Sequence, residues 1–191
     1  MSSFPVVSLV GSRSLCPAGS RLAFRLGRSL ASSGFGAAVG CAPGADLAFV
    51  RGWLSAPSSS AARLAVFAVG GASGRGFPSP RVSLPVLLSA LAAGASVSWL
   101  AGGPLSVPLR RRLPARSDAA FRASSSFVLA VVSSPSSRGS FRSLRLAAAA
   151  GRVVLVFPVG FSPSLLPRLA ARGCWVRSGF RGFPCFRWLA P

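Results

Sequence analysis

VSLVGSR at residues 7–13 and AAVGCAPGADLAFVRG at 37–52 decide how this chain is read. Each begins as a short apolar run, reaches a glycine, and gives way to a segment with a different period. Residues 5–10 (PVVSLV) are apolar on both faces and end at Gly11, as a buried parallel strand does. Residues 22–30 then place apolar side chains at helical spacing, with Arg21, Arg25 and Arg28 on another face. Gly34 and Gly36 stop that helix. Residues 35–39 repeat the strand, Gly40 ends it, and Pro43 and Gly44 lead into a helix over 45–54.

The alternation continues outward. Residues 64–69 predict a third strand, ending in Gly70 and Gly71, and 72–81 a loop. The stretch 82–109 carries no charge. Gly94, Pro85 and Pro104 interrupt it, so it reads as a buried helix (82–93) and a buried strand (96–100), not as a membrane span. Residues 102–117 form a basic loop or an interrupted helix, and 118–123 begin or continue a helix. A strand over 127–132, a helix over 140–150 and a strand over 153–157 complete the pattern. Strand and helix in turn imply an α/β, Rossmann-like fold: a mainly parallel sheet with helices on both faces. Residues 1–160 make that domain, and 161–191 a basic, aromatic-rich C-terminal extension.

Composition bears on function in an unusual way. The 191 residues carry a formal charge of +20 and are 51% hydrophobic. Such a charge ordinarily points to nucleic acid or another anionic surface. Here Glu, Lys, His, Tyr, Asn, Gln, Ile and Thr are all absent, and the missing residues are those whose codons need adenine. An adenine-poor coding strand loses acids and writes its cations as arginine, so the charge argument carries about half its usual weight. By the same logic Asp46 and Asp118, the only carboxylates in the chain, stand out as candidate catalytic groups. Four cysteines without paired spacing and no histidine leave a zinc site unexpected. They read as reduced thiols of a cytoplasmic protein, and the first residues have no basic segment ahead of an apolar run.

Four loops follow strands: Gly11-Ser12-Arg13, Gly40 to Asp46, Gly70-Gly71, and Ser133 to Ser140. In a parallel sheet they share the edge beyond the strands' carboxyl ends, where ligands bind. Glycine permits close approach of a phosphate, and helix N-termini offer free N–H donors. The candidate ligand-binding residues are therefore Gly11, Ser12, Arg13, Gly40, Gly44, Asp46, Gly70, Gly71, Ser137, Arg138, Gly139 and Ser140. Arg110, Arg111, Arg112, Arg177, Arg181, Arg187 and Trp188 are candidates for nucleic acid, the arginines for phosphates and the aromatic for stacking. A terminal hairpin whose aromatics cover the sheet edge is the alternative for that tail.

The order of these segments resembles the SLOG superfamily, which joins the DNA-processing protein A and lonely-guy families. GSR at 11–13, the GxxxGAD at 40–46 followed by Ala48 and Arg51, and the Ser/Gly loop within FVLAVVSSPSSRGSFRSLRLAAAAGRVVLVFP (127–158) carry the resemblance. It covers roughly residues 5–160. It implies a nucleotide or nucleotide-derived ligand, or single-stranded DNA or RNA, as partner. The interrupted 82–109 stretch leaves no membrane partner expected, and the sequence leaves homodimerisation open. It implies that Asp46 caps its helix, or holds a ligand hydroxyl or an arginine. The lonely-guy branch hydrolyses nucleoside monophosphates through a PGGxGTxxE motif. The matching SSRGSFRSLR (136–145) has no acid. An N-glycosidase, the alternative function, would then rest on Asp46 or Asp118. No cofactor is indicated.

Overall fold

The computed structural model describes residues 4–190. Strands β1 (Val6–Gly11), β2 (Gly36–Val39), β3 (Leu64–Phe67), β4 (Ser96–Ser98), β5 (Val128–Val132) and β6 (Val154–Pro158) alternate with helices α1 (Pro17–Ser32), α2 (Ala45–Leu54), α3 (Pro80–Ala92), α4 (Leu109–Arg122) and α5 (Arg138–Ala149). A hairpin of β7 (Cys174–Phe180) and β8 (Phe183–Leu189) closes the chain. All eight strands join one sheet in the order β4-β3-β2-β1-β5-β6-β8-β7. Pairings among β1–β6 are parallel, and those of β8 with β6 and β7 antiparallel.

This strand order locates the ligand edge. From β1 the chain winds outward through β2 and β3 to β4, then returns to place β5 on the other side of β1. The direction reverses between β1 and β5. Right-handed crossovers put α1, α2 and α3 on one face and α4 and α5 on the other. The central strands are buried on both faces: Leu129 and Val131 of β5 pack into the core shared with α1 and α2, and Val128, Ala130 and Val132 into the core shared with α5.

The structure differs from the sequence expectation in two places. Residues 109–122 form one helix despite Pro114. The proline removes one backbone donor, but Arg112 anchors the preceding turn by donating from Nε to the Val107 carbonyl (2.9 Å) and from Nη1 to the Val69 carbonyl (2.7 Å). The strand expected over 96–100 is shorter, and it is not buried. It is the sheet's outer edge, with Ser96 and Ser98 exposed. The tail's alternative reading describes its hairpin, since Trp188 is buried and meets Trp175 edge-on at 5.2 Å. Among the described residues no helix is long and apolar enough to cross a membrane.

Helices α1 and α2 lie in direct backbone contact because a glycine of each faces the other. A Cβ on Gly27 would stand 2.5 Å from the Phe49 carbonyl oxygen, and one on Gly52 would overlap the Phe24 carbonyl. Backbone cannot yield as a side chain does. Gly27→Val is therefore expected to cost about 1–3 kcal/mol in urea unfolding, while Gly139→Ala, where a Cβ meets nothing within 4 Å, stays near wild type.

Candidate functional site

The reversal between β1 and β5 opens a cavity of about 540 Å³ beyond the carboxyl ends of β1, β2 and β5. Its walls come from the loop after β1, from Gly40 and Ala42 after β2, from one face of α4, and from the loop into α5. Eight serines and no aromatic side chain line it.

Ser12 ties the loops together. Its N–H donates to the Val131 carbonyl (3.0 Å), and its own carbonyl accepts from the Ala45 N–H (3.0 Å). Its hydroxyl oxygen accepts from the Ser133 N–H (2.9 Å) and shares a 2.8 Å hydrogen bond with Ser137. Segments distant in sequence thus meet at one buried serine, through its N–H, its carbonyl and its hydroxyl.

Helix α5 points its N-terminus at the cavity through Arg138, Gly139 and Ser140. No side chain caps it. Among the described residues the N–H groups of Gly139 and Ser140 have no protein acceptor, which leaves the first turn's donors and the positive end of the helix dipole to a ligand. Arg13 and Arg138 stand exposed at the rim. Neither belongs to the two ion pairs found among the described residues.

Deeper in, the Arg116 side chain reaches from α4 over Gly40 to the first turn of α2. Its Nη1 donates to Asp46 Oδ2 at 3.1 Å, with both side chains over nine-tenths buried. The same oxygen accepts from the Ala42 N–H at 3.1 Å. Burial pushes the Asp46 carboxyl above its ordinary value, against the opposing pull of Arg116. Burial likewise raises the Cys41 thiol, which accepts from the Val69 N–H. Any side chain at position 40 would overlap this pair, since a Cβ there falls on Arg116 Nη1.

Of the residues singled out by sequence, Gly11, Ser12, Arg13, Gly40, Asp46, Ser137, Arg138, Gly139 and Ser140 line the cavity. Gly44 does not. It opens α2 with φ +84 against the carbonyls of Ser12 and Arg13. Gly70 and Gly71 lie outside the lining as well, because their loop folds toward Phe77 and Arg75. Their strand, β3, sits two places from the reversal. Asp118 is outside too, held by both terminal nitrogens of Arg142 so that it joins α4 to α5. The two carboxylates therefore sit in separate ion pairs.

Arg110, Arg111, Arg177, Arg181 and Arg187 are exposed. Arg112 is buried with its guanidinium on loop carbonyls, and Trp188 is covered within the hairpin's core, so neither presents a face to nucleic acid. The sequence reading counted Arg116 in the basic run over 110–116 and did not place it, Ser117 or Ser143 at this cavity. The signal was the four-residue spacing of Arg112, Arg116 and Ala120, the buried positions of α4. Among the described residues no three His, Cys, Asp or Glu side chains come together as a metal site would need.

A family model described as DNA recombination-mediator protein A matches residues 1–175. The DNA processing protein A of Helicobacter pylori, described for its single-stranded DNA binding mode, shares the fold at a TM-score of 0.60 and 20% identity, over 81% of this chain and 66% of that one. The DNA processing protein A of Streptococcus pneumoniae does so at a TM-score of 0.63 and 21% identity, over 85% and 53%. The chain thus spans between half and two thirds of those structures' length. No curated protein matches it in sequence.

The buried pair makes a stability prediction. Asp46→Ala leaves the Arg116 charge unpaired in the interior, and the expected loss is about 3–5 kcal/mol in denaturant unfolding. Asp118→Ala breaks a pair half open to water and is expected to cost under about 1 kcal/mol.

Proposed function

The chain belongs to the DNA recombination-mediator protein A family, and on that footing we propose that it binds single-stranded DNA by the phosphodiester backbone, in the cavity at the carboxyl ends of β1, β2 and β5. One observation carries this reading. The uncapped N-terminus of α5 and two unpaired arginines, Arg13 and Arg138, converge on a single cavity. Helix-terminal N–H groups and guanidinium forks are the donors that phosphate oxygens take.

The lining supports backbone recognition over base recognition. Hydroxyls and backbone groups bond to phosphate and sugar, whereas base stacking needs the aromatic faces that the cavity lacks. Binding is then tolerant of sequence. The exposed Arg110, Arg111, Arg177, Arg181 and Arg187 add to the positive field that draws a strand in, a contribution that weakens with salt.

A nucleotide or nucleotide-derived ligand would use the same donors, so length of the ligand separates the two readings. The glycosidase reading has no support from the carboxylates: Asp118 is not in the cavity and Asp46 is occupied by Arg116.

The test is fluorescence anisotropy of oligothymidylate and oligodeoxyadenylate over a salt series. Comparable affinities for the two, falling steeply as salt rises, are expected. Arg13→Ser with Arg138→Ser should weaken binding at least tenfold and flatten the salt slope by about 1.4, or about 0.7 per phosphate contact. Saturable binding of a mononucleotide with no gain for the longer strand would overturn the proposal in favour of a small-ligand site.

A further inference from the structure

Arg116 is buried, charged and only partly used. Nη1 is committed to Asp46 Oδ2. Nε is closed to solvent and has no hydrogen-bond partner, and among the described residues Nη2 has none either. A guanidinium so deeply placed ordinarily fills its donors, and an unfilled one calls for an explanation. Packing alone does not explain it, because Arg112 one turn earlier on the same helix is equally buried and spends Nε and Nη1 on three carbonyls.

Nε is sealed off from the cavity, which leaves Nη2 as the unpaired donor able to meet a phosphate oxygen there. Asp46 holds the group by the other side. The carboxylate is itself fixed by the Ala42 N–H, and Gly40 leaves the space through which Arg116 passes. The side chain lines the same cavity as the first turn of α5.

We propose that Arg116 is the inner phosphate ligand of this cavity, through Nη2, and that Asp46 is the positioning residue that holds the guanidinium by Nη1 and leaves Nη2 unpaired and in place. This rests on the reading of the cavity as a phosphate-binding site and adds to it a ligand below the rim. The phosphate sits between Arg116 and the Gly139–Ser140 N–H groups, with Arg13 and Arg138 left for the strand on either side.

A measurement on the wild-type protein tests the first part. In a spectrum of protein labelled with ¹⁵N at arginine, Arg116 Nε–H is expected to give a protected resonance that shifts on adding a twelve-residue oligothymidylate, and also on adding inorganic pyrophosphate. Arg116→Lys identifies the resonance by its loss. In parallel, Arg116→Gln should reduce oligothymidylate affinity at least tenfold and lower the salt slope by about 0.7.

Asp46→Asn separates positioning from plain electrostatics by sign. Removing a negative charge beside a phosphate strengthens binding if Asp46 only repels the ligand. If Asp46 positions Arg116, binding weakens several-fold while the salt slope stays at the wild-type value. A shift with pyrophosphate but no binding of the oligonucleotide removes the single-strand reading and keeps Arg116 as phosphate ligand. Oligonucleotide binding with the Arg116 resonance unmoved and the Gln variant's slope unchanged removes Arg116 and keeps the single-strand reading. Tighter binding by Asp46→Asn removes the positioning role.

Discussion

The contact that organises the cavity is the hydrogen-bonded ion pair between Arg116 and Asp46. It joins α4, from one face of the sheet, to α2, from the other, across the edge where the strands end. Charges so far from water cost several kcal/mol each to bury, so the pair survives only with its geometry held. Gly40 supplies room, the Ala42 N–H fills the shared carboxylate oxygen, and the α2 N-terminus lends a favourable dipole. Removing any of these leaves a buried charge with too few partners.

Ser12 does with neutral groups what the ion pair does with charges. A hydroxyl, an N–H and a carbonyl at one residue reach β5, α2 and the loop into α5. The cavity floor is thus cross-linked while its rim, Arg13 and Arg138, stays open to water. That division suits capture of an anion: rim charges attract at distance and are screened by salt, and inner donors act where the dielectric is low.

The chain's +20 charge looks different once placed in space. Arg112 and Arg116 are structural or buried, Arg152 lies over Phe121 and donates to Ser124, Arg63 donates to two carbonyls, and Arg181 reaches Ser29. These arginines do work that other residues do in chains with a fuller alphabet. With only two carboxylates, both already paired, the remaining arginines face water without intramolecular neutralisation. The surface therefore repels itself and attracts polyanions whatever the origin of the composition.

The alternation of short apolar runs with helical periods was enough to reach the parallel sheet, because a strand buried on both faces must be continuously apolar and a helix buried on one cannot be. Gly11, Gly40 and the Ser137–Ser140 loop were legible for a related reason: they follow strands, and parallel strands end on one edge. Local pattern could not say which strand ends meet. Gly70 and Gly71 follow a strand as Gly11 does, yet β3 lies away from the reversal between β1 and β5, and strand order is a long-range property. Nor does a run of arginines disclose which one turns inward. Arg110, Arg111, Arg112 and Arg116 differ only in the helix face they occupy, and the packing of α4 against β2 and β3 selects Arg112 and Arg116 for burial. Asp46 stood out in the sequence as a carboxylate kept against the composition. That its partner is an arginine 70 residues away was decided only when the sheet brought α2 and α4 to the same edge.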